Sequence, residues 1–329
     1  MKTLNQKYYQ RPELSNWSGR FDGAEPQHLR WHQHIQLADL AHAQDFKNAF
    51  VLLGFACDEG VGRNMGRVGA AAAPMAIRKA IANAPVFRDA SLLLFDAGDV
   101  TCKDADLAAA QATLGMAVQL ILEQGGFPII LGGGHEVTYG HYLGLRADYR
   151  QQLGIINLDA HFDCRKPVDD IPTSGTGFYQ IAEVESLHGN KLHCLPLGIQ
   201  RISNTQALFD YMLAQDVDWI EAKDFHLANK EKISKLIADF LAGIDQLYLT
   251  IDLDVFAAAY APGVSATAFN GIVPDNFFYG VFQEILRSPK LVSMDIAELN
   301  PQFDLDMRTA KLAANLIFEL VATVKLSAG

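Results

Sequence analysis

The sequence predicts an α/β fold with three layers, in which helices cover both faces of a mostly parallel sheet of about eight strands. Short apolar runs flanked by Gly, Asp or Pro alternate with longer segments of helical periodicity. Such apolar runs are typical of strands that are buried on both faces. No linker-like composition, repeat or charge block interrupts the 329 residues. We therefore expect one domain over residues 1–329, with an irregular N-terminal arm at 1–45.

The predicted elements follow one another in regular order. Helical periodicity is clearest at 105–124, 230–243 and 309–325, and the first two segments end at or just before glycines, as helix C-termini commonly do. The eight predicted strands are 49–57, 91–98, 127–134, 153–160, 191–199, 217–222, 246–254 and 290–298.

Composition and charge limit the classes of partner. The net charge is −11 and the pI is about 5.3, which argues against nucleic acid and anionic membranes, because both attract clustered Lys and Arg. A small anionic substrate remains compatible, since it needs only a few local cations. The four cysteines show no C-x-x-C spacing, and the N-terminus has no apolar signal segment. We expect a cytoplasmic protein that acts on a small molecule.

The ends of four predicted strands carry acids and histidines. The carboxyl ends of parallel strands meet at one edge of a sheet, so we expect these side chains to lie together. They are His135 and Glu136 after the third strand, Asp159, His161 and Asp163 at the fourth, Asp252 and Asp254 at the seventh, and Asp295 and Glu298 at the eighth.

This composition of the sheet edge predicts a metal site. Crowded carboxylates repel one another unless cations neutralise them, and four aspartates could balance two divalent ions. Mixed oxygen and nitrogen donors suit Mn²⁺, Fe²⁺ or Zn²⁺ and fit Ca²⁺ poorly. A single histidine after a Gly-rich turn, or a single D-x-D, would more often be structural, but their combination favours metal. The six candidate ligands are His135, Asp159, His161, Asp163, Asp252 and Asp254.

These motifs resemble those of the ureohydrolase family of arginases and agmatinases. The family's G-G-x-H, D-A-H-x-D and D-x-D segments correspond to residues 132–135, 159–163 and 252–254, and a Pro-Gly stretch follows at 262–263. The resemblance runs from about residue 50 to the end. It implies an arginase-like fold with two Mn²⁺ per subunit, and relatives suggest a homo-oligomer. It assigns one ion to His135 and Asp163, the other to His161 and Asp254, and both to Asp159 and Asp252.

Departures from the family pattern indicate which branch of the family this sequence resembles. Gly134 stands where arginases and agmatinases usually have Asp, and Phe178 stands where they carry a histidine thought to shuttle protons. The segments GGGHE, DAHFD, SGTGFYQI and DIAELNP are most similar to the formimidoylglutamase branch. That branch hydrolyses N-formimidoyl-L-glutamate to L-glutamate and formamide in histidine degradation. The resemblance implies that a metal-bridging hydroxide carries out this reaction.

The resemblance also implies roles for substrate-binding residues. Glu298 matches the family acid that receives the cationic end of the substrate, and Asp163 could carry a proton to the leaving amine. Arg165, with Ser174 as a helper, is our first choice for the substrate carboxylates, because the guanidinium fork suits a carboxylate. Three further arginines follow strand ends and are also candidates for binding the substrate carboxylates, although Arg67 is interpreted as structural: Arg63, Arg67 and Arg201.

Three alternatives remain open on the sequence. An agmatinase or another guanidino-acid ureohydrolase would release urea, although Gly134 and Phe178 argue against it. A catalytically silent metal-binding protein on the same fold would bind metal without turnover. A deacetylase-like hydrolase on a related fold would use one zinc ion.

Overall fold

The strands of the protein form a ten-stranded sheet in a computed structural model that describes residues 4–87, 92–146 and 150–326. All eight predicted strands are present, although Ser91, in the second of them, lies outside the described residues. The strands are β1 (Tyr9–Gln10), β2 (Gln36–Leu37), β3 (Ala49–Ala56), β4 (Leu93–Thr101), β5 (Phe127–Leu131), β6 (Leu153–Leu158), β7 (Cys194–Ile199), β8 (Ile220–Glu221), β9 (Gln246–Asp252) and β10 (Leu291–Ala297).

Two strands go beyond the predicted eight. Both lie in the N-terminal arm that the sequence predicts as irregular, and both pair with β4, β1 in antiparallel and β2 in parallel orientation. Each has only two residues and no apolar run, so local sequence gives no periodicity that could reveal it. Pairing with an existing strand edge, rather than local propensity, defines them.

Helices cover both faces of the sheet, as predicted. The helices are α1 (Trp31–His34), α2 (Glu59–Arg63), α3 (Ala73–Ile81), α4 (Leu107–Glu123), α5 (Val137–Leu145), α6 (Gly177–Leu187), α7 (Gln206–Ala214), α8 (Lys230–Ala242), α9 (Asn276–Leu286) and α10 (Arg308–Thr323). One face of the sheet is covered by α4, α5, α6 and α7, and the other by α3, α8, α9 and α10. The predicted helices at 105–124, 230–243 and 309–325 correspond to α4, α8 and α10.

Strand β3 shows how the sequence builds two apolar cores. Phe50 and Leu52 belong to the core on the α3 side, whereas Val51 and Leu53 belong to the core on the α4 side. This alternation follows from the two-residue period of a strand. Each such fully buried side chain contributes about 1.5–3 kcal/mol to folding.

The strand order brings four chemically important strand ends together. The order is β1-β4-β3-β5-β10-β9-β6-β7-β8, so β5, β10, β9 and β6 are neighbours. In their parallel register Ala297 lies opposite Asp252, and Ile251 lies opposite Leu158. The four strands therefore end nearly level, and the segments that follow them meet at one edge of the sheet.

Across residues 4–87, 92–146 and 150–326, no helix combines the length and apolar character needed to cross a membrane.

Candidate metal centre

The turn after β5 places His135 next to β10. A Cβ atom on Gly133 would lie 1.7 Å from the carbonyl oxygen of Cys57, so only glycine allows this close approach of two backbones. The carbonyl of Gly133 accepts a 2.8 Å hydrogen bond from the amide of Glu298. In return, Oε1 of Glu298 accepts a 2.6 Å bond from the amide of His135. These bonds fix the two strand ends against each other.

Two of the predicted site residues have left-handed backbone conformations. The φ angle is 46° at Asp163 and 69° at Glu298. Non-glycine residues adopt this region rarely, and such strain concentrates at functional sites. At Glu298 it turns the chain at the end of β10, so that the side chain reaches the candidate metal ligands.

The first cluster surrounds His135. Its Nδ1 atom lies 2.8 Å from Oδ2 of Asp163, 3.2 Å from Oδ2 of Asp159 and 3.5 Å from Oδ2 of Asp252. His135 and Asp159 are almost completely buried. Four residues from three different strand ends therefore direct one nitrogen and three carboxylate oxygens at a common point.

The second cluster contains Asp159, His161 and Asp254. Nδ1 of His161 lies 3.0 Å from Oδ2 of Asp254 and 3.6 Å from Oδ1 of Asp159. The two oxygens of Asp159 thus face different histidines, as a bridging ligand requires. Asp252 contributes an oxygen to the first cluster and is not part of the second, so the bridging role implied for Asp252 stays a prediction.

The spacing of the donor atoms fits divalent ions. Neighbouring ligands at right angles around an ion with bonds of about 2.1 Å lie about 3 Å apart. The nitrogen–oxygen distances in the two clusters run from 2.8 to 3.6 Å. A donor set of imidazole nitrogen and carboxylate oxygen suits Mn²⁺, Fe²⁺ or Zn²⁺. The residues present therefore fit a pair of metal ions.

The charges of the clusters also indicate a need for cations. Burial raises the pKa of Asp252 well above its usual value, and the charges of Asp254 and Asp159 raise it further. Burial opposes the charging of His161, yet Asp254 and Asp159 raise its pKa to about 12. The excess negative charge of the clusters thus favours bound protons on groups such as Asp252 and His161. Divalent ions would replace these protons.

Local hydrogen bonds hold the acids in place. Oδ1 of Asp159 accepts from the amide of His161 at 2.6 Å, and Oδ2 accepts from Nδ2 of Asn157 at 3.1 Å. Oδ1 of Asp252 accepts from the amide of Asp254 at 2.8 Å. The D-x-H and D-x-D spacings therefore have a structural reason: each first aspartate caps the turn that carries the next ligand.

A cavity of about 270 Å³ opens over the clusters. The predicted substrate residues Glu298, Arg165 and Ser174 all line it. Burial raises the pKa of Glu298 to about 7, and the charge of Asp254 adds to this effect. The residues that line the cavity are Val61, Asn64, Met65, Gly66, Arg67, His161, Asp163, Arg165, Ser174, Asp252, Asp254, Ser265, Ala266 and Glu298.

The other three candidate arginines differ in whether they line the cavity. Arg63 pairs with Glu59, Arg201 pairs with Glu221, and neither lines the cavity. Arg67 does line it, and the interpretation of Arg67 as structural stays a prediction. Its guanidinium donates to the carbonyls of Val264 and Ser265 and stacks on the ring of Phe303 at 4.0 Å.

Two other predicted site features lie outside the cavity. Phe178 is buried in α6 with its ring 6.3 Å from the ring of His135, so it packs behind a candidate ligand. Asp295, grouped with the edge acids on sequence, lies inside the sheet and bonds to His141 and Thr250. Its position within β10, three residues before Glu298, directs it away from the cavity.

Sequence reasoning missed several residues that shape the site. Asn64 donates to Oγ of Ser174 at 3.1 Å and accepts from Arg165 at 3.4 Å, which links two predicted substrate residues. Thr250 contacts the ring of His135. The parity of Thr250 with Asp252 and Asp254 in the seventh predicted strand was the signal that could have revealed it.

Comparisons with known proteins agree with this geometry. Residues 48–322 match the model of the arginase family. The chain is 46% identical over 310 residues to a formimidoylglutamase of Rhodococcus jostii, covering 93% of this chain and 94% of the relative. It is 44% identical to a formimidoylglutamase of Chromobacterium violaceum, covering 94% and 97% of the two chains. The crystal structure of Trypanosoma cruzi formiminoglutamase with two Mn²⁺ superposes with a TM-score of 0.72 at 26% identity, covering 95% of this chain and 98% of that one. The chain belongs to the arginase family.

Proposed function

We propose that the protein hydrolyses N-formimidoyl-L-glutamate to L-glutamate and formamide, a step of histidine degradation. One observation carries the proposal. A single cavity is lined by members of both candidate metal clusters, by the buried acid Glu298, and by the arginines Arg67 and Arg165. This pattern of charges complements a substrate with one cationic amidine and two carboxylates. The relatives named formimidoylglutamase support the same choice.

We propose that two Mn²⁺ ions occupy the clusters. His135 and Asp163 would hold one ion, His161 and Asp254 the other, and Asp159 and Asp252 both. When bound, such ions supply an acidified water molecule that can attack the amidine carbon near neutral pH. The distances of 3.2 Å and 3.6 Å from the two oxygens of Asp159 to His135 and His161 support its shared role, and the Mn²⁺ in the T. cruzi structure supports the choice of metal.

The acids of the cavity would hold the amidine and move a proton. Glu298 would receive the protonated amidine through charge-assisted hydrogen bonds. Its position is fixed, because its Oε1 already accepts from the amide of His135. Asp163 lines the cavity and would carry a proton to the departing glutamate amine. Phe178 has no ionisable group, so it cannot take over this step.

The cations of the cavity would hold the two carboxylates. Within the described part of the chain, neither Arg165 nor Arg67 forms an ion pair with a carboxylate, whereas Arg63 and Arg201 both do. A guanidinium at a cavity wall without an anionic partner is suited to bind a carboxylate of the substrate. Ser174 adjoins Arg165 through Asn64 and would add a hydroxyl donor.

We also propose the domain organisation, the class of partner, the location and the assembly of the protein. We propose a single domain over residues 1–329, which the one continuous ten-stranded sheet supports. A small-molecule substrate and no nucleic acid partner are consistent with the net charge of −11. The four unpaired cysteines support a location in the cytoplasm. A homo-oligomer is proposed from the family resemblance alone.

A substrate panel tests the function. Metal-stripped protein is reloaded with Mn²⁺ and incubated with N-formimidoyl-L-glutamate, and release of glutamate and formamide is followed. Agmatine, arginine and guanidinobutyrate are tested in parallel with detection of urea. Mn²⁺-dependent formamide release without urea supports the proposal. Urea would favour the guanidino-acid alternative, and two bound metals without turnover would favour a silent metal-binding protein. Activity with a single zinc would favour the deacetylase-like alternative.

A further inference from the structure

A buried network lies behind the first cluster, on the side away from the cavity. Nε2 of His135 lies 3.0 Å from Oγ1 of Thr250, and Thr250 donates its hydroxyl to Oδ1 of Asp295 at 2.6 Å. Tyr248 donates to Oδ2 of the same carboxylate, and Nδ1 of His141 lies 2.7 Å from that oxygen. All five side chains are almost completely buried. None of Thr250, Asp295, His141 and Tyr248 lines the cavity, so the proposed reaction does not use them directly.

The strand register builds the centre of this network. Thr250 in β9 and Asp295 in β10 are direct partners in the parallel ladder. Thr250 precedes Asp252 and Asp254 with the same parity, so its side chain lies on the ligand side of β9. Its hydroxyl therefore lies between the ring of His135 and the carboxylate of Asp295.

The hydrogen bonds have a fixed direction. A threonine hydroxyl has one proton, and the carboxylate of Asp295 accepts it. Oγ1 of Thr250 is then an acceptor toward His135, so Nε2 of His135 carries the ring proton. In the neutral ring, which is the form that binds a metal ion, the lone pair is then on the other nitrogen, Nδ1. This is the atom that faces Asp159, Asp163 and Asp252.

We infer that Asp295, acting through Thr250, positions His135 and fixes its proton on Nε2, so that Nδ1 is available as a metal ligand. Asp295 is thus a positioning residue and not a catalytic one. Partners of this kind raise metal affinity by about 10- to 100-fold in other metal sites. The inference rests on the metal-binding part of the proposed function. It does not depend on the choice of substrate.

Mn²⁺ titration by calorimetry tests the inference without any substrate. The His161→Ala background removes a ligand of the second cluster, so that the titration reports the first. In this background we expect Thr250→Val to weaken Mn²⁺ binding about 10- to 100-fold. Thr250→Ser keeps the hydroxyl and should restore binding to within a few-fold. Thr113→Val is the matched control, because Thr113 is a buried threonine of α4 whose hydroxyl bonds to a backbone carbonyl at 2.7 Å.

A second variant tests the hydrogen-bonded chain from His135 through Thr250 at its other end, Asp295. Asp295→Asn preserves shape but removes the charge that holds the Thr250 proton, and we expect it to weaken Mn²⁺ binding in the same direction. Combined with Thr250→Val it should add little, because both changes interrupt one pathway. Thermal unfolding of each variant confirms that it is folded. The inference is wrong if Thr250→Val binds Mn²⁺ like the parent, if Thr250→Ser is equally weak, or if the two changes are fully additive. An outcome in which the proposed substrate is not turned over leaves all of these titrations unaffected.

Discussion

The backbone amide of His135 donates a 2.6 Å hydrogen bond to Oε1 of Glu298. This bond joins the turn after β5 to the end of β10, and so joins a candidate metal ligand to the acid proposed for the substrate. The backbone of these two segments therefore sets the distance between the candidate ligand His135 and Glu298. Oε1 of Glu298 accepts this bond, and we propose that Oε2 receives the amidine of the substrate.

Replacing Glu298 by Gln should separate substrate binding from metal binding. A glutamine oxygen can still accept from the amide of His135, so we expect both metals to be retained. The lost charge removes a charge-assisted hydrogen bond worth about 1.5–3 kcal/mol, so kcat/KM should fall about 10- to 150-fold. Steady-state kinetics together with metal analysis measure both effects. Unchanged kcat/KM would show that Glu298 does not hold the amidine.

Asp159 and Asp254 should differ in their effect on metal content. Asp159 belongs to both clusters, whereas Asp254 belongs to the second alone. We expect Asp254→Ala to retain about one metal per chain and Asp159→Ala to retain less than one. Elemental analysis after extensive dialysis measures the content. Equal loss in the two variants would argue against a shared role for Asp159.

Mn²⁺ binding should release protons. The carboxylates hold protons on the histidines of the metal-free protein, and the pKa of His161 is raised to about 12. A metal ion must displace these protons, so Mn²⁺ affinity should rise with pH and fall as the solution becomes acidic. Calorimetry in buffers of different ionisation enthalpy counts the released protons. A proton count of zero at pH 7 would contradict the charges described for the clusters.

Arg165 and Arg67 should recognise the carboxylates of the substrate. We expect Arg165→Ala and Arg67→Ala each to lower kcat/KM for N-formimidoyl-L-glutamate about 10- to 100-fold, mainly through KM. With N-formimidoylglycine, which has one carboxylate, one of the two variants should lose much less. Arg201→Ala is the matched control, because its partner Glu221 lies outside the cavity. The assignment is wrong if both arginine variants show the same ratio of kcat/KM for the two substrates as the parent protein.

Gly134 and Glu136 should be energetically coupled. A Cβ atom on Gly134 would lie 2.1 Å from Oε2 of Glu136 and 2.4 Å from a methyl group of Val61. Gly134→Ala should therefore destabilise the fold by about 1–3 kcal/mol. Adding Glu136→Ala should recover part of this loss, and denaturant unfolding of the four proteins measures the coupling. Additive effects would mean that the carboxylate of Glu136 does not restrict residue 134.

This coupling also gives a physical reason for a departure from the family pattern. The sequence shows glycine where arginases and agmatinases usually have aspartate, but it does not show why. In the structure the carboxylate of Glu136 fills the space that a side chain at residue 134 would need. The buried Glu136, whose pKa burial raises to about 8, also accepts from the amide of Gly60 at 2.8 Å.

The sequence predicted those parts of the structure that depend on local pattern. Apolar runs located the eight main strands, and ionisable residues at three strand ends located the clusters, because buried charges need a reason to be there. The edge strands β1 and β2 could not be predicted, since pairing with β4 alone defines them. The sequence could also not predict that Arg63 pairs with an acid whereas Arg67 lines the cavity, because this depends on which acids the fold brings near each arginine. Asp295 appeared to be an edge acid because its depth within β10 depends on the register with Thr250.

Stepwise reconstitution with Mn²⁺ tests the central claim most directly. Metal-free protein receives Mn²⁺ in increments, and formamide released from N-formimidoyl-L-glutamate is measured against the number of bound ions per chain. A two-metal hydrolase should show little release with one ion bound and full release with two. Full release with one bound ion would contradict the two-metal centre. No release with two bound ions would contradict the proposed reaction.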